Sequence, residues 1–560
     1  MSVQLSSVLL GEMTSSWERT LEDIRDKKIA KRIWEKDYTV WKPYPEEIVN
    51  RLGWLKSYED FRDQWSQVEG FVTGVRGDGY SRALLLGMGG SSLAPEIFRR
   101  ILGVREGYPD LVVCDTTAPG TIASLTGRLE IDKTLFIVST KSGGTVETLS
   151  AMKYFFQRTC RQMEITEAGR HFLAITDPGS RLADIAEAYR FRHIFYGDPD
   201  IGGRYSALSV FGLVPAALLG ADIKSLLKWT TDRHADAVMT GIKLGAMLGA
   251  AAAEGRNKAT FVLSRILAPF GDWVEQLIAE STGKEGKGIL PVVGEPVGTP
   301  GVYGADRIFV RIGLRGENEN APGLLTLQEA GHPVTELVLD QVHDLAELLY
   351  VWEMATAVAG YVLAVNPFDQ PDVEAAKQFT RQVIGRSQRA EAEAEEIPLA
   401  ADRNMAVYGH GERVCDPAQA LKDFLDFAGE GSYLAVQAYL AAEPSLSGLL
   451  EELRLAVRDR FHIATTVGYG PRFLHSTGQL HKGDAGAGLF VQFTADNPED
   501  IAIPDEMTGR KSSLTFGALQ AAQARGDAKA LESRGRRVLR YHLTGDMNAG
   551  IKQLIESLKR

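Results

Sequence analysis

The chain has 560 residues, 44% hydrophobic and 24% charged, with 62 basic against 73 acidic side chains and a formal net charge of −11. That is globular composition, which excludes a disordered or fibrous chain, and the length suggests about three or four domains. An acidic surface disfavours nucleic acid and anionic membranes as partners but leaves room for a local anion pocket. The three cysteines, Cys114, Cys160 and Cys415, are far apart and form no CxxC, so neither a disulfide framework nor a zinc ribbon is expected. The first residues lack a basic start followed by a long apolar run, so no secretory signal is read there. The apolar stretch 348–365 carries Glu353 and stops at Asn366-Pro367, which reads as a buried helix rather than a membrane span. The expectation is a reducing, cytoplasmic setting.

In chain order, residues 1–60 read as a helical lead-in. Short apolar runs at 83–86, 111–114, 134–138 and 172–175 follow, each trailed by a turn and a helix-period segment. Repeated strand–turn–helix units predict a parallel sheet covered on both faces, over 61–225. A second unit is predicted over 226–385, with an alanine-rich helix at 241–254, strands at 260–264, 307–312 and 334–339, and a long helix at 345–365. The charged segment 386–396 reads as a solvated helix or linker. The remainder, 386–560, has strand-like runs at 433–440, 463–467, 489–493 and 538–543 and helices at 446–458, 514–525 and the C-terminus. The fold class is therefore α/β throughout.

Ligands of open parallel sheets sit beyond the C-terminal strand ends, where loops meet helix N-termini. One such loop is Gly87-Met88-Gly89-Gly90-Ser91-Ser92. Ser92 stands where a dinucleotide fingerprint needs glycine, and no Gly-Lys-Ser/Thr follows, so neither a dinucleotide site nor a P-loop is indicated. A second is Ser139-Thr140-Lys141-Ser142-Gly143-Gly144-Thr145, running into Val146-Glu147-Thr148. Its hydroxyls, a lysine and a helix start suit a small phosphorylated metabolite better than a nucleotide. Gly202-Gly203-Arg204-Tyr205-Ser206 puts an arginine on a glycine turn. Glu280-Ser281-Thr282-Gly283-Lys284 puts a carboxylate where a helix breaks, a position open to either a poised base or an ordinary exposed glutamate.

Together the four segments GMGGSSLAPE, STKSGGTVET, GGRYSALS and ESTGK resemble, in order, those of the phosphoglucose isomerase family, over about residues 60–385. The likeness is nearest to bacterial isomerases, including the isomerase half of transaldolase fusions, although no transaldolase half is evident. The resemblance implies two SIS-type parallel-sheet sandwiches plus a C-terminal α/β domain. It implies interconversion of glucose 6-phosphate and fructose 6-phosphate through a cis-enediolate, with no metal or cofactor, in a cytoplasmic homodimer whose partner is a small sugar phosphate. Position by position, Gly90, Ser91, Thr140, Lys141, Ser142 and Thr145 would hold the phosphate. Glu280 would move the proton between C2 and C1, Arg204 would stabilise the enediolate, and Lys377, after Val365-Asn366-Pro367-Phe368-Asp369-Gln370-Pro371, would act near the ring oxygen or phosphate.

The ring-opening histidine is where the sequence departs from the family. The candidates are His475 and His481, in His475-Ser476-Thr477-Gly478-Gln479-Leu480-His481-Lys482-Gly483, and His332, in Ala330-Gly331-His332-Pro333. His475 is the favoured one. Two other readings remain: activity extended to mannose 6-phosphate, and a non-catalytic SIS-type sugar-phosphate sensor, which would need no base at Glu280.

Overall fold

The computed structural model describes residues 3–317, 323–372, 378–383, 385, 396–497 and 499–559. Three sheets organise them. The segment predicted as purely helical begins instead with strand β1 (Gln4–Leu9), which joins the second sheet. Its polar–apolar mix suits a sheet edge, where half the side chains meet water.

The first sheet holds β2 (Arg82–Gly87), β3 (Asp110–Cys114), β4 (Thr134–Ser139), β5 (Phe172–Thr176) and β6 (His193–Tyr196), in the order β3-β2-β4-β5-β6 and parallel throughout. β2 and β4 are central, and every residue of β4 is buried. The order reverses at β2, so its C-terminal end is a switch point where loops part and leave a crevice. There β2 feeds α1 (Leu93–Leu102) and β4 feeds α2 (Val146–Cys160).

The second sheet runs β1-β10-β9-β7-β8. Its members are β7 (Lys258–Leu263), β8 (Leu290–Val292), β9 (Arg307–Leu314) and β10 (Val334–Leu339), parallel apart from β1. Two helices flank it in the core, α3 (His234–Ala253) and α5 (Leu345–Val362), with α4 (Phe270–Thr282) between them in sequence. α3 is long and apolar enough to cross a membrane, yet it lies against α5 with almost no gap. A methyl at Gly245 would overlap the Ala355 carbonyl, so only glycine allows this approach. Glu353 is buried on α5 and its carboxyl is raised well above the usual range by that burial, so it sits neutral. One continuous apolar core spans the first two sheets.

The third unit is a mixed sheet of order β11-β12-β18-β15-β13-β14. It contains β11 (Ala400–Ala401), β12 (Met405–Gly409), β13 (Tyr433–Tyr439), β14 (Ala464–Tyr469), β15 (Gly488–Ala495) and, after the small ribbon of β16 (Ala502–Ile503) with β17 (Leu514–Thr515), β18 (Arg537–Leu543). Helix α6 (Phe516–Ser533) covers one face. Its core is separate from the first, but Tyr433, Phe490 and Val538 pack with Ala279, Leu290 and Val292 of the second unit.

Candidate active site

The site forms where the loop after β2, the loop after β4, the glycine turn at 202–204, the end of α4 and a turn of the third unit converge. Close backbone approach makes this possible. A methyl at Gly90 would overlap the Gly203 carbonyl, so the first and third motifs touch only because residue 90 is glycine. Gly89 has φ +53°, and a side chain on it would come within 2.8 Å of Gln276 Nε2 and 3.0 Å of the His475 carbonyl.

Glu280 lies in the last turn of α4. Its carboxylate accepts from Gln276 Nε2 at 3.0 Å, one helical turn back, and pairs with Arg204 Nη1 at 3.3 Å. Arg204 is 2% exposed. It donates to Ser281 Oγ at 2.7 Å, Gln370 Oε1 at 2.9 Å, and the Pro367 and Asp369 carbonyls at 2.7 and 2.9 Å. With the Glu280 contact, those bonds engage all the donors of a guanidinium. The arginine is thus rigid and holds the carboxylate at a fixed angle. Lys284, just beyond the helix, donates to both the carbonyl and the carboxylate of Asp369. Burial, with the nearby Arg204 charge, pushes its ammonium down to about 8.

The hydroxyl loop after β4 is self-bonded but open. Thr140 Oγ1 and Thr145 Oγ1 are 3.1 Å apart, and Ser142 is exposed and accepts from the Gly144 N–H at 3.3 Å. Thr145 is the N-cap of α2 and caps nothing with its side chain. The first amides of a fifteen-residue helix therefore face the loop without that partner, which suits an anion. Gly90 and Ser91 are buried in the neighbouring loop. Lys141 is different: its ammonium pairs with Asp177 at 2.7 Å, donates to the Asp198 carbonyl at 2.9 Å and lies 4.8 Å from the Phe211 ring centre. It braces the loop from behind rather than presenting a free charge to a phosphate.

His475 closes the assembly from the third unit. It ends the 3-10 turn Arg472–His475, and its carbonyl accepts from Gln276 Nε2 at 2.7 Å. Its Nε2 lies 3.1 Å from Glu147 Oε1, and Gln523 Nε2 of α6 donates to the same oxygen at 2.7 Å. One glutamine, Gln276, thus touches both Glu280 and the backbone of His475. The two other histidines lie elsewhere. His481 is buried among Tyr433, Phe473 and Phe490, and burial lowers its pKa well below the usual value, so it is a neutral core residue. His332 packs edge-on against Tyr303 and Phe309 in a small apolar cluster ahead of β10. The expectation that it joins the site is corrected: a histidine after a helix-stopping glycine here fills a core corner. Lys377 lies outside the described residues.

Glu147 and Gln276 were not singled out from the sequence. A glutamate in a first helical turn and a glutamine inside an apolar helix carry no local signal. Only the three-unit packing gives them partners.

Residues 55–288 match the family model for phosphoglucose isomerase. That stretch, less than half of the chain, is similar to phosphoglucose isomerases. The span includes Gly90, Thr140–Thr145, Arg204 and Glu280 but ends well before His475. Among its relatives, the glucose-6-phosphate isomerase of Rubrobacter xylanophilus is 29% identical over 374 residues, covering 56% of this chain and 84% of that protein. The glucose-6-phosphate isomerase of Lactobacillus helveticus is 29% identical over 389 residues, covering 60% and 86%. The crystal structure of a hypothetical protein from Thermus thermophilus superposes with a TM-score of 0.56 at 24% identity, over 69% of this chain and all of that one. It shares the α/β fold. In this chain, a wall of the candidate site comes from residues beyond the matched stretch.

Proposed function

We propose that the protein interconverts glucose 6-phosphate and fructose 6-phosphate, as the names of its relatives suggest. The observation that carries this reading is the clamped Glu280 carboxylate, held by Arg204 and Gln276 beside two glycine-lined loops, with Gln276 also bound to the backbone of His475, whose ring pairs with Glu147. Moving a hydrogen between adjacent carbons needs one base that reaches both, and a single fixed carboxylate does so. Glu280 takes the C2 proton of the open aldose and returns it to C1. The intermediate is a cis-enediolate, an anion. The buried Arg204 guanidinium favours it over neutral substrate by its field, because its hydrogen bonds are already committed. His475, oriented by Glu147, exchanges the proton at the ring oxygen that opens the pyranose. The hydroxyls of Ser142 and Thr145, the Gly90 and Ser91 backbone and the α2 N-terminus receive the phosphate. Nothing in this scheme requires a metal.

A coupled assay of the purified protein with fructose 6-phosphate, with and without chelator, tests it. Turnover unaffected by chelator is expected. Absence of turnover would overturn the reaction, and chelator sensitivity would overturn the scheme.

A further inference from the structure

The third unit carries a second cleft, of about 1340 Å³, between α6 and its sheet. This is larger than the roughly 300–1,000 Å³ of common small-molecule pockets. Its floor is unusual for the covered face of a central sheet. Two polar rungs cross it in register. One joins Gln492, Arg540 and Tyr408 on β15, β18 and β12; the next joins Tyr439, Thr494 and His542 on β13, β15 and β18. The alternate residues Val491, Phe493, Leu539 and Tyr541 face the opposite core and are apolar or aromatic. Two positions earlier on the same face, Phe490 and Val538 are apolar as well. The change to polar residues therefore begins where the cleft begins.

Opposite this floor, α6 presents Gly517, Ala518, Ala521 and Ala524, whose side chains are too short to fill the space, and only the Ala524 carbonyl reaches a rung, accepting from Gln492 Nε2 at 3.2 Å. Tyr439 Oη, Gln520 Nε2 and Arg540 Nε in the walls have no hydrogen-bond partner among the described residues. Tyr439 and Gln520 are 2% and 3% exposed. Buried polar groups left this way are costly unless something polar joins them.

The charges of the cleft are largely answered from within. Arg540 pairs with Glu396, His542 bonds Thr494 Oγ1 at 3.0 Å and Asp496 Oδ1 at 3.2 Å, and Asp500 accepts the Gly517 N–H at 2.7 Å. Glu396, Asp496, Asp500 and Glu532 line the space against the cations Arg525, Lys529 and Arg540, so the cleft carries no excess of positive charge, which disfavours a phosphate. The remaining polar lining is neutral amide, phenol and hydroxyl chemistry, both donor and acceptor. We infer that this cleft binds an uncharged polyhydroxylated molecule, an unphosphorylated mono- or disaccharide, separately from the isomerase site.

The test is saturation-transfer NMR on the full chain with D-glucose and sucrose as probes, in the presence of excess inorganic phosphate. Transfer to at least one sugar is expected. Ala521→Trp, at an exposed helix position, should fill the cleft and weaken binding by about tenfold or more, and the conservative Thr494→Val should weaken it also. No transfer to either sugar would overturn the proposal. So would unchanged transfer in both variants with native circular dichroism. Transfer lost on adding phosphate would place the sugar at the phosphate loops and overturn it too.

Discussion

In the proposed scheme Glu280 and His475 make separable demands on the chemistry. Glu280→Gln keeps the size and the Gln276 contact but cannot accept a proton. Turnover is expected to fall about 10³-fold with phosphate-ligand affinity kept, as read by steady-state kinetics and inhibitor binding; near-full turnover would remove Glu280 as the base. His475→Ala should slow conversion of ring-closed substrate by about 10²-fold or more, while His332→Ala should change stability alone. Comparable losses from both would break the assignment. Glu275, three residues from Asp272 on α4, offers a pH test. Burial beside the Asp272 charge pushes its carboxyl up to about 8. A carboxyl raised on folding stabilises fully below its unfolded pKa, and that benefit is lost as pH climbs from about 4.5 to 8. Glu275→Gln should therefore raise the melting temperature at pH 8.5, by about 2–4 °C, with the gain vanishing near pH 4.5. At this scale the sequence was informative where a motif is contiguous. Arg204 and Glu280 stood out because each sits on a glycine-flanked break. Lys141 sat in the right loop, but its ion pair with Asp177, thirty-six residues on, has no local trace.

The turn Arg472–His475 shows how an element can be fastened from several sides. Arg472 reaches Glu96 Oε2 on α1 at 2.8 Å, Asp115 Oδ2 after β3 at 3.3 Å and Asp272 Oδ2 on α4 at 3.3 Å. Three carboxylates from the first two units thus hold one arginine whose turn ends in His475. Burial raises the pKa of Asp115 and Asp272, a cost that the shared guanidinium offsets. Arg472→Met should lower kcat about 10²-fold by releasing the histidine, with KM for the phosphorylated substrate little changed. An equal rise in KM would mean that the turn serves substrate binding rather than orientation. Strands were legible wherever β-branched or leucine runs are buried on both faces, as in β2, β4 and β9. β6, β8 and β12 were missed because they are short or half-buried, and periodicity has too few residues to act on.

At the scale of the whole molecule, one chain brings Glu280 and His475 together, although about 195 residues and a unit boundary separate them. Co-expressed Glu280→Gln and His475→Ala chains should therefore show no mutual rescue, whatever their oligomeric state. Recovery of a sizeable fraction of activity in the mixed population would mean that a neighbouring copy lends the histidine. The three-unit α/β plan was readable from alternating strand and helix patterns, yet the contribution of the last unit was not. Its histidine segment has the right residue types, but which histidine enters the site depends on packing: His481 turns into the core of its own unit, and His475 turns out.

β1 and β10 lie more than three hundred residues apart yet form the antiparallel edge of one sheet. During synthesis at about 5–20 residues per second, the first strand waits roughly 15 s to a minute for its partner to emerge. For that interval its backbone is unpaired and the second sheet has no finished border. A peptide matching residues 334–339, present while the chain is being made, would compete for β1 at the ribosome while leaving the completed protein untouched.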